Sequence, residues 1–307
     1  MTVARLAVLG PTASGKSAVA MALAMSERGR ALGIELVSID AMQVYRGMNI
    51  GTAKPTMAER ADVRHHLIDL VDADQTFTVA QFQSSYRAAV DDIDARGGTA
   101  VLVGGTGLYL RAVVDDLDIP GQWPEIRSDL EKEAEKHGPE RLHERLCSLD
   151  PVAATKMEPT NTRRIVRALE VTIGSGRTFS SYGPGVDAYP PSSVRQVALS
   201  WDRAVLGRRI ESRVHAMVEA GLVDEVRRLL DARPSATAMQ ALGYKEIADH
   251  LEGRSSLDEA VETTILRTRQ FAVRQERWFR RDPRIEWFAV HEDPVAEVAQ
   301  GLLATLA

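Results

Sequence analysis

Cysteine is almost absent from this chain of 307 residues, which contains only Cys147. A single cysteine excludes an internal disulfide and suits a reducing cytosol. Long hydrophobic runs are absent too: no apolar stretch approaches the length of about 20 residues that spans a bilayer, so we expect no membrane segment. The first residues, MTVARLAVLG, lead straight into a glycine-containing loop. We therefore expect no signal peptide and a cytoplasmic location.

The sequence also lacks a surplus of positive charge. Its 38 Lys and Arg residues face 43 Asp and Glu residues, which gives a net charge of −5. This balance argues against a globally basic nucleic-acid binder, so any nucleic-acid contact must come from local patches. Hydrophobic residues make up 44 % of the chain, which is enough for a substantial core, and the length allows one large domain with an insertion or two domains.

A phosphate-binding pattern stands near the N-terminus. The stretch GPTASGKS at 10–17 follows an apolar run and matches G-x-x-x-x-G-K-[ST] through Gly10, Gly15, Lys16 and Ser17. Such a loop wraps backbone N–H groups around a phosphate, adds a lysine charge and offers a hydroxyl to Mg²⁺. A predicted strand before the loop and a predicted helix after it argue against a chance match.

The first part of the chain alternates between strands and helices. We predict strands at 4–10, 34–40 and 99–105 and a helix at 16–31. Continuous apolar runs of this kind predict a parallel sheet that is covered on both faces. Ligands of such sheets collect beyond the carboxyl ends of the strands. The loop at 10–17, Asp40 and the GGTG turn at 104–107 should therefore lie near one crevice.

The composition changes between about Ile119 and Ser193, where charged residues dominate and Pro and Gly interrupt the chain. Leu130, Leu142 and Leu146 recur there with helical periodicity. A strand is predicted at 194–201, and the remainder is mostly helical. We predict an α/β protein with a P-loop NTPase-like parallel sheet. The catalytic core comprises 1–117 and 196–307, and a mostly helical insertion domain comprises 118–195.

The sequence lacks one residue that P-loop ATPases and GTPases use. A P-loop ATPase or GTPase normally carries an acidic residue at the end of an apolar strand to hold Mg²⁺. Here the third predicted strand ends in Gly104, Gly105 and Thr106, and the comparable acid, Asp40, ends a different strand. The sequence therefore indicates a phosphate-binding enzyme other than a mechanical NTPase.

Seven stretches, in order along almost the whole chain, carry a family resemblance. They are GPTASGKS (10–17), DAMQVYRGMNIGTAKP (40–55), HHLID (65–69), VGGTGLYLRA (103–112), RRIVRALEV (163–171), MQALGYKE (239–246) and TRQFAVRQERWFRRD (268–282). With them the chain resembles the bacterial type of the tRNA dimethylallyltransferase, or tRNA isopentenyltransferase, family. It departs from the usual family pattern at Ala41 and at Asn49. One cysteine cannot build the zinc finger of eukaryotic relatives.

The resemblance implies a prenyl transfer to tRNA. The dimethylallyl group of dimethylallyl diphosphate would move to N6 of the adenosine at position 37, in the anticodon loop of tRNAs that read codons starting with U. The expected partners are this tRNA and the donor, with Mg²⁺ as cofactor and no stable protein partner. The donor diphosphate would lie in the loop formed by Gly10, Pro11, Thr12, Ala13, Ser14, Gly15, Lys16 and Ser17, and Ser17 would bind the metal.

The resemblance further implies that Asp40, Thr106 and Arg213 are catalytic. Each has an alternative role. Asp40 is either the general base or a residue that holds Mg²⁺ through water. Thr106 could cap the following helix. Arg213 could be a solvated residue beside other arginines of the same helix.

Contacts with tRNA are implied for a separate set of residues: Asp40, Ala41, Met42, Gln43, Thr106, Arg127, Arg163, Arg164, Ile165, Val166 and Arg167. A second basic segment, 267–284, contains seven arginines and two acidic residues. Its stripe consists of arginines at roughly heptad spacing and two aromatic neighbours, namely Arg267, Arg274, Arg277, Arg281, Phe271 and Trp278. A charge run is usually a solvated face, but stripes of one sign with aromatics suit phosphate backbones.

Three other functions remain open at this point. A P-loop kinase for a small molecule or nucleoside would use the same loop, and the helical insertion could act as its lid. A tRNA-binding protein with a vestigial loop would not need the set Lys16, Ser17, Asp40 and Thr106. A small adenylate isopentenyltransferase should lack both the insertion and the arginine-rich helix.

Overall fold

The computed structural model describes residues 5–304. Its six-stranded sheet is parallel throughout. The strands are β1 (Leu6–Leu9), β2 (Ile34–Ile39), β3 (His65–His66), β4 (Thr99–Gly104), β5 (Arg195–Trp201) and β6 (Ile285–Val290). Their spatial order is β3-β2-β4-β1-β5-β6. The predicted parallel α/β sheet is confirmed.

The chain divides into two compact units. One contains the sheet, with the residues up to Asp115 and from Tyr189 onwards, and the other is Asp116–Ala188. The helices before the second unit are α1 (Lys16–Met25), α2 (Glu27–Ala31), α3 (Met57–Asp62), α4 (Val79–Ala95) and α5 (Gly107–Val114). The second unit contains α6 (Pro124–His137), α7 (Pro139–Leu149), α8 (Pro151–Ala154) and α9 (Thr162–Ser175).

The sheet unit continues after the second unit with a further group of helices. They are α10 (Arg203–Glu219), α11 (Leu222–Asp231), α12 (Tyr244–Leu251), α13 (Leu257–Phe279) and α14 (Gln300–Leu303). Short 3₁₀ turns lie at 179–181 and 238–240, and a π-helical turn lies at 295–299. Among the residues that the structure describes, no helix combines the length and the apolar character that a membrane crossing needs.

Both faces of the sheet are covered, which explains its continuous apolar strands. Side chains of a strand alternate between the two faces. Leu6 and Val8 of β1 pack into the cluster that contains Leu23 of α1, whereas Ala7 and Leu9 pack into the cluster that contains Phe82 of α4. A strand that is buried on both sides needs apolar residues at every position.

The helical unit has a core of its own. Leu130, Leu142 and Leu146, which we predicted from helical periodicity, are buried there. Ile165 and Val166 of α9 lie in the same core, with exposed fractions of 0 % and 1 %. Their side chains therefore stabilise the core of the unit, and their predicted contact with tRNA stays a prediction.

The largest differences from the predicted boundaries concern one helix and the end of the helical unit. The helix predicted at 16–31 is interrupted at Ser26, whose hydroxyl donates to Leu23 O and accepts from Gly29 N–H, so that a new helix begins. The helical unit ends at Ala188, before the predicted 195. The chain joins the sheet unit at Tyr189, whose ring lies 4.4 Å from the Arg111 guanidinium.

Candidate active site

Three strands end at the same level, and this brings the predicted site segments together. Gly104, the last residue of β4, pairs with Leu9 of β1 on one side and with Ile39 of β2 on the other. The loop at 10–17, Asp40 and the turn at 104–107 therefore start from one edge of the sheet. A Cβ on Gly104 would lie 2.1 Å from Ile39 O, so only glycine permits this approach.

The loop at 10–17 has the backbone of an anion cradle. Ala13 and Gly15 both adopt left-handed conformations, with φ of 63° and 90°. Left-handed residues that alternate with residues of negative φ turn successive N–H groups towards the concave side of the loop. The helix α1 begins at Lys16 without a side-chain cap, so its first N–H groups and its dipole also favour an anion there.

Two side chains that the sequence analysis missed hold this loop from outside. Trp201, at the end of β5, donates its indole N–H to Ser14 O over 2.9 Å. Arg209 of α10 donates to Ala13 O over 3.0 Å and lies 4.3 Å from the Trp201 ring centre. Arg209 therefore fixes the strained left-handed Ala13, since a non-glycine residue in this conformation needs support from its surroundings.

The environment of Arg213 differs from that of the neighbouring arginines in the same helix. Arg208 is exposed, and Arg209 is engaged by the loop backbone. Arg213 is half-buried, and its charge interacts with those of Lys16 and Asp40. Burial lowers the pKa of Arg213, and the Asp40 carboxylate opposes this effect. The geometry thus favours Arg213 within the site over the alternative of a solvated helix residue.

Lys16 shares this electrostatic environment. Burial is the main cause that lowers its pKa to about 8, the Arg213 charge lowers it further, and Asp40 raises it. Lys16 thus interacts electrostatically with a second cation and with one carboxylate beside the loop. An anion that enters would restore the charge balance and favour the charged form of Lys16.

Only one of the two carboxylate oxygens of Asp40 accepts hydrogen bonds from its own loop. Its Oδ1 accepts from Met42 N–H at 2.8 Å and from Gln43 N–H at 3.3 Å. No hydrogen bond to its Oδ2 is formed within 5–304. Thr106 Oγ1 accepts from Ala41 N–H at 3.1 Å and makes no capping bond to α5. Thr106 therefore supports the Asp40 segment and does not cap the helix.

The segment after Asp40 is held by groups from distant parts of the chain. The buried Glu225 carboxylate accepts from the backbone N–H groups of Asn49, Ile50 and Gly51 and from the Tyr244 hydroxyl. Burial and Glu225 raise the pKa of Tyr244, so its hydroxyl stays a donor. Glu225 was missed by the sequence analysis, because nothing in its local sequence distinguishes it from other helix acids.

Gln43 is occupied by contacts within the loop. Its Oε1 accepts from the Ser38 hydroxyl at 2.8 Å, and its Nε2 donates to Thr52 O and Ala53 O. The side-chain amide that was expected to contact tRNA therefore stabilises the 40–55 segment in this structure. Both N–H groups of the amide are used, whereas Oε1 accepts a single hydrogen bond and has a second lone pair that can accept from a base.

The predicted tRNA-binding arginines of the helical unit fall into two groups. Arg163 and Arg164 are exposed at the start of α9. Arg127 and Arg167 instead form ion pairs with the buried Glu170. Arg167 also donates to Pro120 O and Gly121 O, so its role is at least partly to fix the chain that leads into α6.

The arginines of the predicted stripe lie on α13 and just after its end. Arg274, Arg277 and Arg281 are exposed, and the Arg281 guanidinium lies 5.9 Å from the Trp278 ring centre. Arg267 is exposed as well and forms an ion pair with the buried Glu246 of α12.

The oxygen donors at the site suit Mg²⁺. The Ser17 hydroxyl is exposed in the first turn of α1, and Asp40 lies on the adjacent loop. Mg²⁺ is usually bound by one or two protein oxygens together with water and substrate phosphates.

The pKa of Lys16 leads to a prediction. Because Lys16 loses its charge as the pH rises through about 8, the affinity for inorganic diphosphate should fall above that pH, by up to about tenfold per pH unit. Titration calorimetry between about pH 7 and 9.5 measures this fall. The variant Lys16→Arg keeps its charge and corrects for the ionisation of diphosphate itself. Identical profiles for the two proteins would contradict the assignment.

The arginines of α10 provide a second prediction. Arg213→Met should weaken diphosphate binding about ten- to a hundredfold, the effect of one lost charge-assisted contact. Arg208→Met removes the same charge from an exposed position of the same helix and should leave the dissociation constant unchanged. Equal losses in the two variants would mean that the helix acts only through its total charge.

Comparisons with known proteins identify the family of this chain. The IPP transferase family matches residues 43–282. The tRNA dimethylallyltransferase of Kineococcus radiotolerans is 50 % identical over 306 residues, which cover 98 % of this chain and 96 % of the relative. The tRNA dimethylallyltransferase of Thermobifida fusca is 50 % identical, with coverages of 92 % and 88 %.

Solved structures agree as well. The tRNA isopentenylpyrophosphate transferase of Bacillus halodurans has a TM-score of 0.70 at 37 % identity, covering 98 % of this chain and 94 % of that one. A eukaryotic dimethylallyltransferase acting on tRNA has a TM-score of 0.79 at 25 % identity, with coverages of 97 % and 77 %. By its sequence, its sheet and the residues at the edge of that sheet, this chain belongs to the IPP transferase family of tRNA dimethylallyltransferases.

Proposed function

We propose that this protein transfers the dimethylallyl group of dimethylallyl diphosphate to N6 of adenosine 37 in the anticodon loop of tRNA. The observation that carries the proposal is that the phosphate loop and Asp40 start from one edge of the sheet, where the charge of Asp40 interacts with those of Lys16 and Arg213. The names of the relatives support the same substrates. The tRNAs would be those that read codons starting with U, and the reaction would take place in the cytoplasm.

The cations act on the leaving group. The bond between C1 of the dimethylallyl group and the diphosphate oxygen breaks, and its electron pair remains on the diphosphate. Lys16, Arg213 and the N–H groups of the loop stabilise the charge that develops there. Mg²⁺, bound through Ser17 and the diphosphate, would supply further positive charge. Diphosphate is thus released, and the loop has no need of ATP.

Asp40 acts on the nucleophile. The amino group of adenine is a poor nucleophile because its lone pair is delocalised into the ring, so its proton must leave as the N6–C1 bond forms. Asp40 Oδ2 is the oxygen without a hydrogen bond within 5–304, and it can accept this proton. Oδ1 is held by Met42 and Gln43 N–H, and Thr106 supports the same turn. The carboxylate is therefore oriented before the substrate arrives.

The adenine must leave its stack to reach Asp40. Enzymes that modify a base inside a folded nucleic acid extrude it into a pocket. The segment 40–43 would line the entrance. Arg274 and Arg277 of α13, Arg281 just after this helix, and the pair Arg163 and Arg164 would bind tRNA phosphates. This requires only local positive charge on this acidic protein.

Mass spectrometry of tRNA nucleosides tests the proposed function. The protein is incubated with unmodified tRNA, dimethylallyl diphosphate and Mg²⁺, and the tRNA is then digested with a base-specific nuclease and mapped. A mass increase of one dimethylallyl group at position 37 is expected. Modification at another position, or of free adenylate instead of tRNA, would overturn the proposal.

The general base gives a third prediction. In Asp40→Asn the amide oxygen still accepts the hydrogen bonds from Met42 and Gln43 N–H, but no base remains. The value of kcat should fall about 10²- to 10⁴-fold, while the KM for the donor and the Mg²⁺ dependence change little. Rescue of kcat at high Mg²⁺ would instead assign Asp40 to the metal.

The exposed arginines give a fourth prediction. Replacing both Arg163 and Arg164 by Ala should raise the KM for tRNA, spare diphosphate binding and flatten the salt dependence of tRNA affinity by about one unit of log–log slope per lost phosphate contact. Arg167 is unsuitable for this test because its removal unpairs the buried Glu170. Arg141→Ala removes an exposed charge from α7 of the same unit and is the control. An unchanged slope in the double variant would identify an ordinary solvated face.

A further inference from the structure

We propose that Gln275 of α13 is a positioning residue for the donor diphosphate. This inference rests on the function proposed above, which identifies the ligand of the phosphate loop as the donor diphosphate. Gln275 is 7 % exposed, and its side-chain amide bonds to the backbone of Thr12 and Gly105. Its side-chain amide connects two backbone segments that must keep a fixed distance for the reaction, namely the phosphate loop and the turn at 104–107.

Both ends of the amide are used. Oε1 of Gln275 accepts from Thr12 N–H at 2.8 Å, and Nε2 donates to Gly105 O at 2.9 Å. The approach is close, since a Cβ on Gly105 would lie 2.2 Å from Nε2. The amide therefore fits between the two segments only because Gly105 has no side chain.

The two contacts lie next to residues of the site. Thr12 precedes Ala13, whose left-handed backbone shapes the anion cradle, and Gly105 precedes Thr106, which supports Ala41 beside Asp40. One amide thus sets the position of the diphosphate cradle relative to the turn that orients the base. A shift of either segment would move the leaving group away from the nucleophile, and reactions of this kind are sensitive to such displacements.

The Thr12 N–H is directed at Gln275, so it is not part of the phosphate cradle. Its role is to fix the first half of the loop, as Arg209 and Trp201 fix the Ala13 and Ser14 carbonyls. Of these three, Gln275 is the one that also bonds to the 104–107 turn. Loss of its amide should therefore affect both diphosphate binding and the relative placement of the two segments.

Calorimetry with inorganic diphosphate and Mg²⁺ tests this role. Gln275→Met keeps the length of the side chain but leaves Thr12 N–H and Gly105 O without this partner. We expect the dissociation constant to rise about tenfold, which corresponds to about 1.4 kcal/mol. The KM for dimethylallyl diphosphate should rise by a similar factor, with an additional fall in kcat, and the KM for tRNA should stay unchanged. Gln275→Asn, a milder change whose amide cannot reach both partners, should show the same pattern.

Gln83→Met is the matched control. Gln83 is 6 % exposed in α4 and donates to Ala112 O at 2.8 Å, so its replacement removes a buried amide that does not contact the phosphate loop. It should lower the Tm to a similar extent and leave diphosphate binding unchanged. The positioning role is overturned if both Gln275 variants bind diphosphate as the unmodified protein does, or if Gln83→Met weakens binding equally.

The outcome is separable from that of the proposed function. Diphosphate binding requires neither tRNA nor prenyl transfer. An unmodified protein whose diphosphate affinity depends on Gln275 but which leaves tRNA unchanged would overturn the proposed function and support the role of Gln275. A protein that modifies tRNA but whose Gln275 variants bind diphosphate normally would overturn only the positioning role.

Discussion

The parallel pairing of β1, β2 and β4 determines where chemistry can take place. Leu9 and Ile39 both lie opposite Gly104, so three loops leave the sheet at one level and their first residues meet. The close approach of Gly104 to Ile39 O leaves no room for a side chain. The phosphate loop, the Asp40 carboxylate and the Thr106 hydroxyl reach each other because the strands fix their starting points.

The charges at this edge are mutually dependent. Burial disfavours the charged forms of Lys16 and Arg213, and Asp40 opposes this effect for both. An anionic diphosphate that enters the site brings negative charge beside the two cations and so favours their charged forms. The same cations stabilise the charge that develops on the leaving diphosphate. In the proposed function, a protein with a net charge of −5 binds two polyanions through local positive charge, at the loop for diphosphate and on exposed arginines for tRNA.

The sequence predicted those features that have a local signal. Buried strands read as apolar runs, and the loop at 10–17 has a defined spacing of glycines, Lys16 and Ser17. Edge strand β6 was missed because its exposed positions, such as Glu286, interrupt the apolar run. Gln275 and Glu225 were missed for another reason: their backbone partners lie 263 and 176 residues away in the chain. A residue whose function is to hold a distant backbone has no local pattern. Val166 shows the converse: its position in a motif predicts tRNA contact, which stays a prediction, whereas the structure shows that its side chain is buried in the core.

The central claim is that the phosphate loop holds a leaving group and not a nucleotide that is hydrolysed. The most direct measurement is the stoichiometry of phosphate products during tRNA modification with and without ATP. One diphosphate should be released for each modified adenosine, at the same rate in the absence of ATP, and Lys16→Met should abolish both products together. Release of orthophosphate from ATP in step with tRNA modification, and its loss in Lys16→Met, would contradict the account.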